Sequence, residues 1–201
     1  MEFLLIFLVG YTLGSIPFAL VIGKGLYDTD VRQYGSGNLG ASNAGRVLGR
    51  KAGIAVMLLD LLKATLTVWI ASKLSGQDEA LALAGLAAAL GHCYPLFATF
   101  RGGKAVATMY GYLLGMWIFG GCSLLAFFGP LCIFIACLYM TKIVSLSSMV
   151  SAIAAVICMW LGGVRKYVWA ATAVFALLVI YRHRDNIRRI LKGTENKINW
   201  M

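Results

Sequence analysis

Apolar residues fall into seven blocks along the chain, about 2–23, 52–72, 80–99, 105–119, 122–140, 144–162 and 167–182, and the polar residues collect between them. A helix needs about 20 residues to cross the hydrocarbon core, with a range of about 17–25. The pattern therefore predicts an all-α integral membrane protein with seven transmembrane helices. The stretch 105–140 is too long for one span and fits two short ones, with Gly120-Gly121 as the break. The fourth and seventh blocks are short, so polar loops are expected to dip to membrane level. Pro95 predicts a kinked or weakened end to the third span. The first block, opening MEFLLIFLVG, lacks a basic leader and is too long for a signal-peptide core, so it reads as a retained helix. No repeat, low-complexity tract or linker divides the chain, which predicts one polytopic domain over 1–201.

Composition narrows the class. Hydrophobic residues make up 60% of the chain and charged residues 13%, whereas a soluble domain has about 45–50% and about 25%. That excludes an ordinary soluble enzyme and a disordered chain. Five cysteines, an odd number in mostly apolar surroundings, read as free thiols rather than a disulfide framework. Lys and Arg number 18 against 8 Asp and Glu. These bases lie in the short gaps between apolar blocks, which argues for membrane topology and an anionic substrate rather than nucleic acid. Seven spans would put fourteen bases on one side (Lys24, Arg32, Arg46, Arg50, Lys51, Arg101, Lys104, Lys142, Arg182, Arg184, Arg188, Arg189, Lys192, Lys197) and three on the other (Lys73, Arg165, Lys166). The N-terminus is then external, the C-terminus cytoplasmic, and the polar segments 24–51, 100–104, 141–148 and 182–201 share the cytoplasmic face.

Four segments on that face carry candidate chemistry. In Gly35-Ser36-Gly37-Asn38-Leu39-Gly40-Ala41-Ser42-Asn43-Ala44-Gly45-Arg46, glycines let backbone N–H groups approach an anion, Ser and Asn add neutral donors, and Arg46 adds a planar fork suited to phosphate. It is neither a Walker loop nor a dinucleotide fingerprint. Arg101-Gly102-Gly103-Lys104 opens the fourth span, where a helix start favours an anion, with headgroup contact as the alternative role of its charges. Ser145, Ser147 and Ser148 begin another span and can cap it or join an anion site. His183 and Asn186 are three apart and share a face if the last helix continues, while Arg184, Arg188 and Arg189 suit anionic headgroups. Asp60 and Lys63, inside the second span, are expected to pair with each other or with an interhelical loop. His92 is expected as a core histidine bonded to a backbone group. No carboxylate pair and no metal-ligand spacing occurs, which disfavours a metal-dependent hydrolase.

At these segments, GSGNLGASNAGR, GHCYPLFATFRGGKAVAT, KIVSLSSM and YRHRDNIRRILKGTENK, the chain resembles the bacterial acyl-phosphate:glycerol-3-phosphate acyltransferase family, PlsY. The blocks occur in family order and spacing through most of the chain. Ser42 replaces a more usual Thr, Ala105 a more usual Gly, and Ser147 a small apolar residue. The resemblance implies a multi-pass enzyme of the bacterial cytoplasmic membrane. It would transfer a fatty acyl group from acyl phosphate to the 1-hydroxyl of glycerol 3-phosphate, the first acylation of phospholipid synthesis, without cofactor or metal. A soluble acyl carrier protein:phosphate acyltransferase would hand over the acyl phosphate. By the same resemblance Gly35, Ser36, Gly37 and Asn38 cradle acyl phosphate, with Gly40 and Asn43 in the same substrate loop. Arg46 and Lys104 neutralise phosphate, Gly102 and Gly103 shape that site, and Ser145, Ser148, His183 and Asn186 complete the pocket. The His-x-x-x-x-Asp arrangement of other glycerophosphate acyltransferases is missing, and the resemblance implies that a phosphate oxygen of the substrate takes the hydroxyl proton, with His183 as the competing base. Two other classes, an organic-phosphate transporter and a non-catalytic subunit binding anionic lipid, would be separated from this one by turnover.

Overall fold

The computed structural model describes residues 1–198, all helix and loop, so residues 199–201 of the expected domain lie outside the described residues. The helices are α1 (Glu2–Gly14), α2 (Phe18–Tyr27), α3 (Ala41–Leu48), α4 (Arg50–Leu74), α5 (Asp78–Cys93), α6 (Val106–Phe119), α7 (Leu125–Thr141), α8 (Val144–Leu161), α9 (Lys166–Arg182) and α10 (Arg184–Leu191). Four stretches are long and apolar enough to cross a membrane: Glu2–Tyr27, Arg50–Leu74, Asp78–Ala98 and Val144–Leu161. Val106–Phe119 and Leu125–Thr141 are shorter apolar helices.

The breaks follow local chemistry. Pro17 has no N–H and disfavours a helical residue before it, so the first apolar block divides into α1 and α2 rather than running through. Pro95 ends α5 at Cys93, as the sequence predicts, and a single 3-10 turn follows over Leu96–Ala98. Gly120-Gly121 separates α6 from α7, with Gly121 at φ +65°. Pro130 lies inside α7, and its carbonyl accepts from Tyr110 (3.2 Å) and Ser151 (3.1 Å), which ties α7 to α6 and α8. Hydropathy does not separate the amphipathic α3 and α10 from loops, because each is only eight residues long and mixes apolar with polar positions.

Small residues let the long helices touch backbone to backbone, the usual solution where lipid removes the hydrophobic drive for association. Gly10 and Gly14 of α1 lie on Ala84 and Ala88 of α5, and Gly111 and Gly115 of α6 lie on Leu61 and Val68 of α4. Tyr112 stacks on Phe175 at 5.5 Å and its hydroxyl meets Thr172 at 2.9 Å, linking α6 to α9. Inside this bundle Lys63 lies 2.7 Å from Asp60 Oδ1 and donates to the Ile16 carbonyl (2.9 Å), so both expected partners are found. His92 differs from expectation. Its Nδ1 faces Lys63 Nζ at 3.1 Å and Asp60 at 3.5 Å rather than a backbone group, because α4 brings both charges against the end of α5.

Candidate active site

Hydrogen bonds join the segments that carry the candidate chemistry: the loop before α3 to the α5–α6 loop, that loop to α5, α9 and α10, and the start of α8 to the tail after α10. Within the first segment Gly35 (φ +61°) and Gly37 (φ +66°) hold left-handed backbone that other residues adopt at a cost. Asn43 fixes this loop from inside. Its Oδ1 accepts from the Ser36 N–H (2.8 Å) and hydroxyl (3.1 Å), and its amide donates to the carbonyls of Val31 (2.9 Å) and Tyr34 (3.2 Å). Asn43 is buried and fully bonded, so it shapes the loop rather than facing a ligand. Gly40 caps α3, accepting from Asn43 and Ala44 N–H groups. Asn38 reaches over to the Gly102 carbonyl at 3.5 Å, joining the first segment to the second. Arg46 is exposed in the last turn of α3 with no hydrogen bond or ion pair to a described residue.

The second segment is gripped from two sides. Gly102 and Gly103 N–H groups donate to the carbonyls of Cys93 (3.2 Å) and His92 (3.0 Å). Their own carbonyls accept from Arg182 at 3.0 Å each. A Cβ on Gly102 would overlap the Cys93 and His92 carbonyls, and one on Gly103 would overlap the His92 ring. These glycines therefore seat the loop on α5, and their N–H groups are already engaged. Thr99, Phe100 and Ala105 are also left-handed, at φ +53°, +58° and +59°. Ala105, where the resemblance favours glycine, keeps the glycine-like path at the cost of Cβ strain.

Lys104 projects from this loop and donates to Asn186 Oδ1 at 2.6 Å. The Asn186 amide donates to Glu195 (2.5 Å), as do Ser145 (2.8 Å) and Arg189 (2.7 Å). Three groups, from the start of α8 and from α10, thus converge on a single carboxylate, and Lys104 joins them through Asn186. Burial pushes the Glu195 carboxyl up, but the bonds from Asn186, Ser145 and Arg189 outweigh it and hold its pKa below the ordinary value. Burial, then Arg189, pushes Lys104 down. The sequence analysis assigns Glu195 and Arg182 no role in the site and places Arg189 at lipid headgroups, whereas the structure brings all three into it. The signal available is Glu195 itself, one of two acids, with Asp185, in the strongly basic tail from 182 to 197.

His183 caps α9 and is 3% exposed, close to Asn186, which is 6% exposed. Its Nδ1 lies 2.7 Å from the Val179 carbonyl, so Nδ1 carries the proton and Nε2 is the acceptor. Burial lowers its pKa to about 4, the Val179 bond opposing and Lys104 adding to the shift. Ser148 and Ser147 donate to the Val144 (2.8 Å) and Ile143 (2.9 Å) carbonyls, one turn back in α8. The structure thus joins Lys104 to Asn186 directly and Asn186 to Ser145 through Glu195, and joins the Ser36–Asn38 loop to Gly102. It leaves Ser148 on its own helix and Arg46 facing outward.

Residues 4–193 match the family model described as glycerol-3-phosphate acyltransferase. A relative of that name from Bacillus cytotoxicus is 50% identical over 98% of this chain and 95% of the relative. One from Listeria monocytogenes is 45% identical over 98% of both. The crystal structure of PlsY, an integral membrane glycerol 3-phosphate acyltransferase, in its glycerol 3-phosphate form superposes with a TM-score of 0.91 and 38% identity, covering 99% of this chain and 96% of that one. Its lysophosphatidic acid form gives 0.89 and 37%. With the site's geometry and near-complete matches in sequence and fold agreeing, the chain belongs to the glycerol-3-phosphate acyltransferase family, as a multi-pass integral membrane protein.

Proposed function

We propose that the chain transfers a fatty acyl group from acyl phosphate to the 1-hydroxyl of glycerol 3-phosphate, releasing 1-acyl-glycerol 3-phosphate and inorganic phosphate. The carrying observation is the linked polar cluster in which Lys104 donates to Asn186 while Asn186, Ser145 and Arg189 donate to Glu195, at the end of the bundle that also holds Ser36 and Arg46. Among the described residues no serine or cysteine is hydrogen-bonded to a histidine, which suits direct transfer rather than an acyl-enzyme. The glycerol oxygen attacks the acyl carbonyl, the new ester bond forms as the carbonyl–phosphate bond breaks, and the hydroxyl proton passes to a phosphate oxygen. Acyl phosphate is a mixed anhydride with a good leaving group, so positioning and charge neutralisation lower the barrier. In this reading Gly35, Ser36, Gly37 and Asn38 hold acyl phosphate, and Arg46 and Lys104 neutralise phosphate. His183, neutral and hydrogen-bonded, orients rather than abstracts.

The remaining parts of the reading are a single catalytic domain and seven spans in the bacterial cytoplasmic membrane, with the site facing the cytoplasm. No cofactor or metal takes part, and acyl phosphate is delivered from a soluble acyl carrier protein:phosphate acyltransferase. The test is purified protein in lipid vesicles with acyl phosphate and glycerol 3-phosphate. Equimolar lysophosphatidate and phosphate are expected without coenzyme A or carrier protein, and chelators should have no effect. Equal or faster turnover with acyl-CoA, or loss of activity to a chelator, overturns the donor or the metal-free mechanism.

A further inference from the structure

Asp60, Lys63 and His92 are 2%, 4% and 7% exposed, inside an otherwise apolar bundle. None of them enters the chemistry above. A buried ion pair is weak evidence for stability, since apolar residues of similar volume often serve as well. What the cluster touches is more informative. Lys63 holds Asp60 at 2.7 Å, the Ile16 carbonyl at 2.9 Å and His92 Nδ1 at 3.1 Å. Ile16 lies in the break before Pro17, so the cluster fixes the joint between α1 and α2. On its other side the His92 ring lies under Gly103, closely enough that a Cβ there would overlap it, and the His92 carbonyl accepts from the Gly103 N–H at 3.0 Å. The next residue is Lys104. With Arg182 holding the same loop from above, the attitude of the His92 ring sets where Lys104 starts.

We propose that Asp60, Lys63 and His92 are positioning residues for the acyl transfer, a buried brace that fixes the Gly102–Gly103 loop and with it the reach of Lys104 towards Asn186. The proposal rests on Lys104 binding substrate phosphate. It predicts a loss in glycerol 3-phosphate binding, whereas a merely structural role would lower the folded fraction and leave KM unchanged.

The test uses full-length His92→Leu and His92→Asn enzymes in lipid, each alone and combined with Lys104→Ala. Glycerol 3-phosphate is varied at saturating acyl phosphate, and inorganic phosphate serves as a competitive inhibitor. His92→Leu should raise KM and the phosphate inhibition constant about tenfold, the effect of one weakened charged hydrogen bond. His92→Asn, whose amide oxygen can stand near Nδ1, should return to within about threefold of the original enzyme. On the Lys104→Ala background His92→Leu should add less than about twofold, because the two act in series. If His92→Leu does not insert, the paired change Asp60→Asn with Lys63→Met takes its place with the same expectations, since it leaves no lone buried charge. An unchanged KM in folded His92→Leu, or losses that add fully to those of Lys104→Ala, overturns the brace alone. A Lys104→Ala enzyme with the original KM overturns the reading of Lys104 and the brace with it.

Discussion

Arg46 and Lys104 are the two bases assigned to phosphate, and their surroundings separate how each should respond to change. Arg46 is exposed and bonded to none of the described residues, while Lys104 is half-buried on Asn186. Arg46→Lys keeps the charge but removes the planar fork. Losing one charged hydrogen bond of about 1.5–3 kcal/mol in the transition state should slow catalysis roughly ten- to a hundredfold. Lys104→Ala should impair glycerol 3-phosphate use at least as much while the protein still inserts, and steady-state kinetics on both variants checks this. His183 calls for a pH–rate profile. Its pKa is lowered to about 4, so it is neutral above that pH and any rate limb it causes lies near 4, not near the ordinary 6.5. The lowered value also means that its contribution to stability is present above about 6.5 and lost as pH falls through about 4. Single-turnover profiles from pH 5.5 to 8 should therefore have the same shape for the original enzyme and His183→Asn, with the cost falling on affinity. A limb that disappears in His183→Asn, or a substrate-saturated single-turnover rate about a hundredfold or more lower in that variant, makes His183 the base. Residue types in the four segments were legible because phosphate chemistry demands them. Which of those residues face a ligand was not legible. Asn43 has the same donor chemistry as Asn38, and only the fold shows it turned inward on Ser36, Val31 and Tyr34.

Hydropathy found the long elements because lipid requires long apolar segments, and it missed what lipid does not regulate. The break at Pro17 leaves the first block equally apolar on both sides, so only the proline marked it. The short amphipathic α3 and α10 carry parts of the site without a hydropathy signal. The contacts between long elements were equally silent, since a glycine in an apolar run looks alike whether it faces lipid or a neighbour. Two glycines of opposite surroundings test this. A Cβ on Gly111 of α6 would overlap the Leu61 carbonyl of α4, whereas nothing lies within 4 Å of one on Gly25 of α2. Gly111→Ala should force the two helices apart and destabilise the protein by about 1–3 kcal/mol. Gly25→Ala, with no contact to disturb, should stabilise α2 by about 0.5–1 kcal/mol. Thermal unfolding in detergent should move in opposite directions for the two. Equal shifts would remove close backbone contact as the basis of the α4–α6 interface.

On the scale of the whole molecule the charge distribution and the site make the same demand. The segments joined at the site, 24–51, 101–104, 142–148 and 182–197, hold fourteen of the eighteen bases, and Lys73, Arg165 and Lys166 occupy the connections at the other helix ends. At that other end Arg165 is partly offset by Asp78 at 3.4 Å and Glu79 at 3.9 Å. Basic loops stay on the cytoplasmic side of a bacterial membrane. The site end is therefore expected to face the cytoplasm, where glycerol 3-phosphate and phosphate release are accessible. Single cysteines on a background lacking the five native thiols can read this directly. Gln33, Arg101 and Thr194 are exposed on three site segments, and Gly76 is exposed on the opposite connection between α4 and α5. Gly102, though central, is buried with no room for a side chain, so Arg101 reports for that loop. In intact cells a membrane-impermeant thiol reagent should label position 76 alone. After permeabilisation it should label positions 33, 101 and 194 as well. Labelling of 33, 101 and 194 together from outside inverts the protein and contradicts the charge argument. Labelling of 101 and 194 from opposite sides cannot coexist with the Arg182 grip on Gly102 and Gly103 or the Lys104–Asn186 bond, and would break both the seven-span count and the shared site.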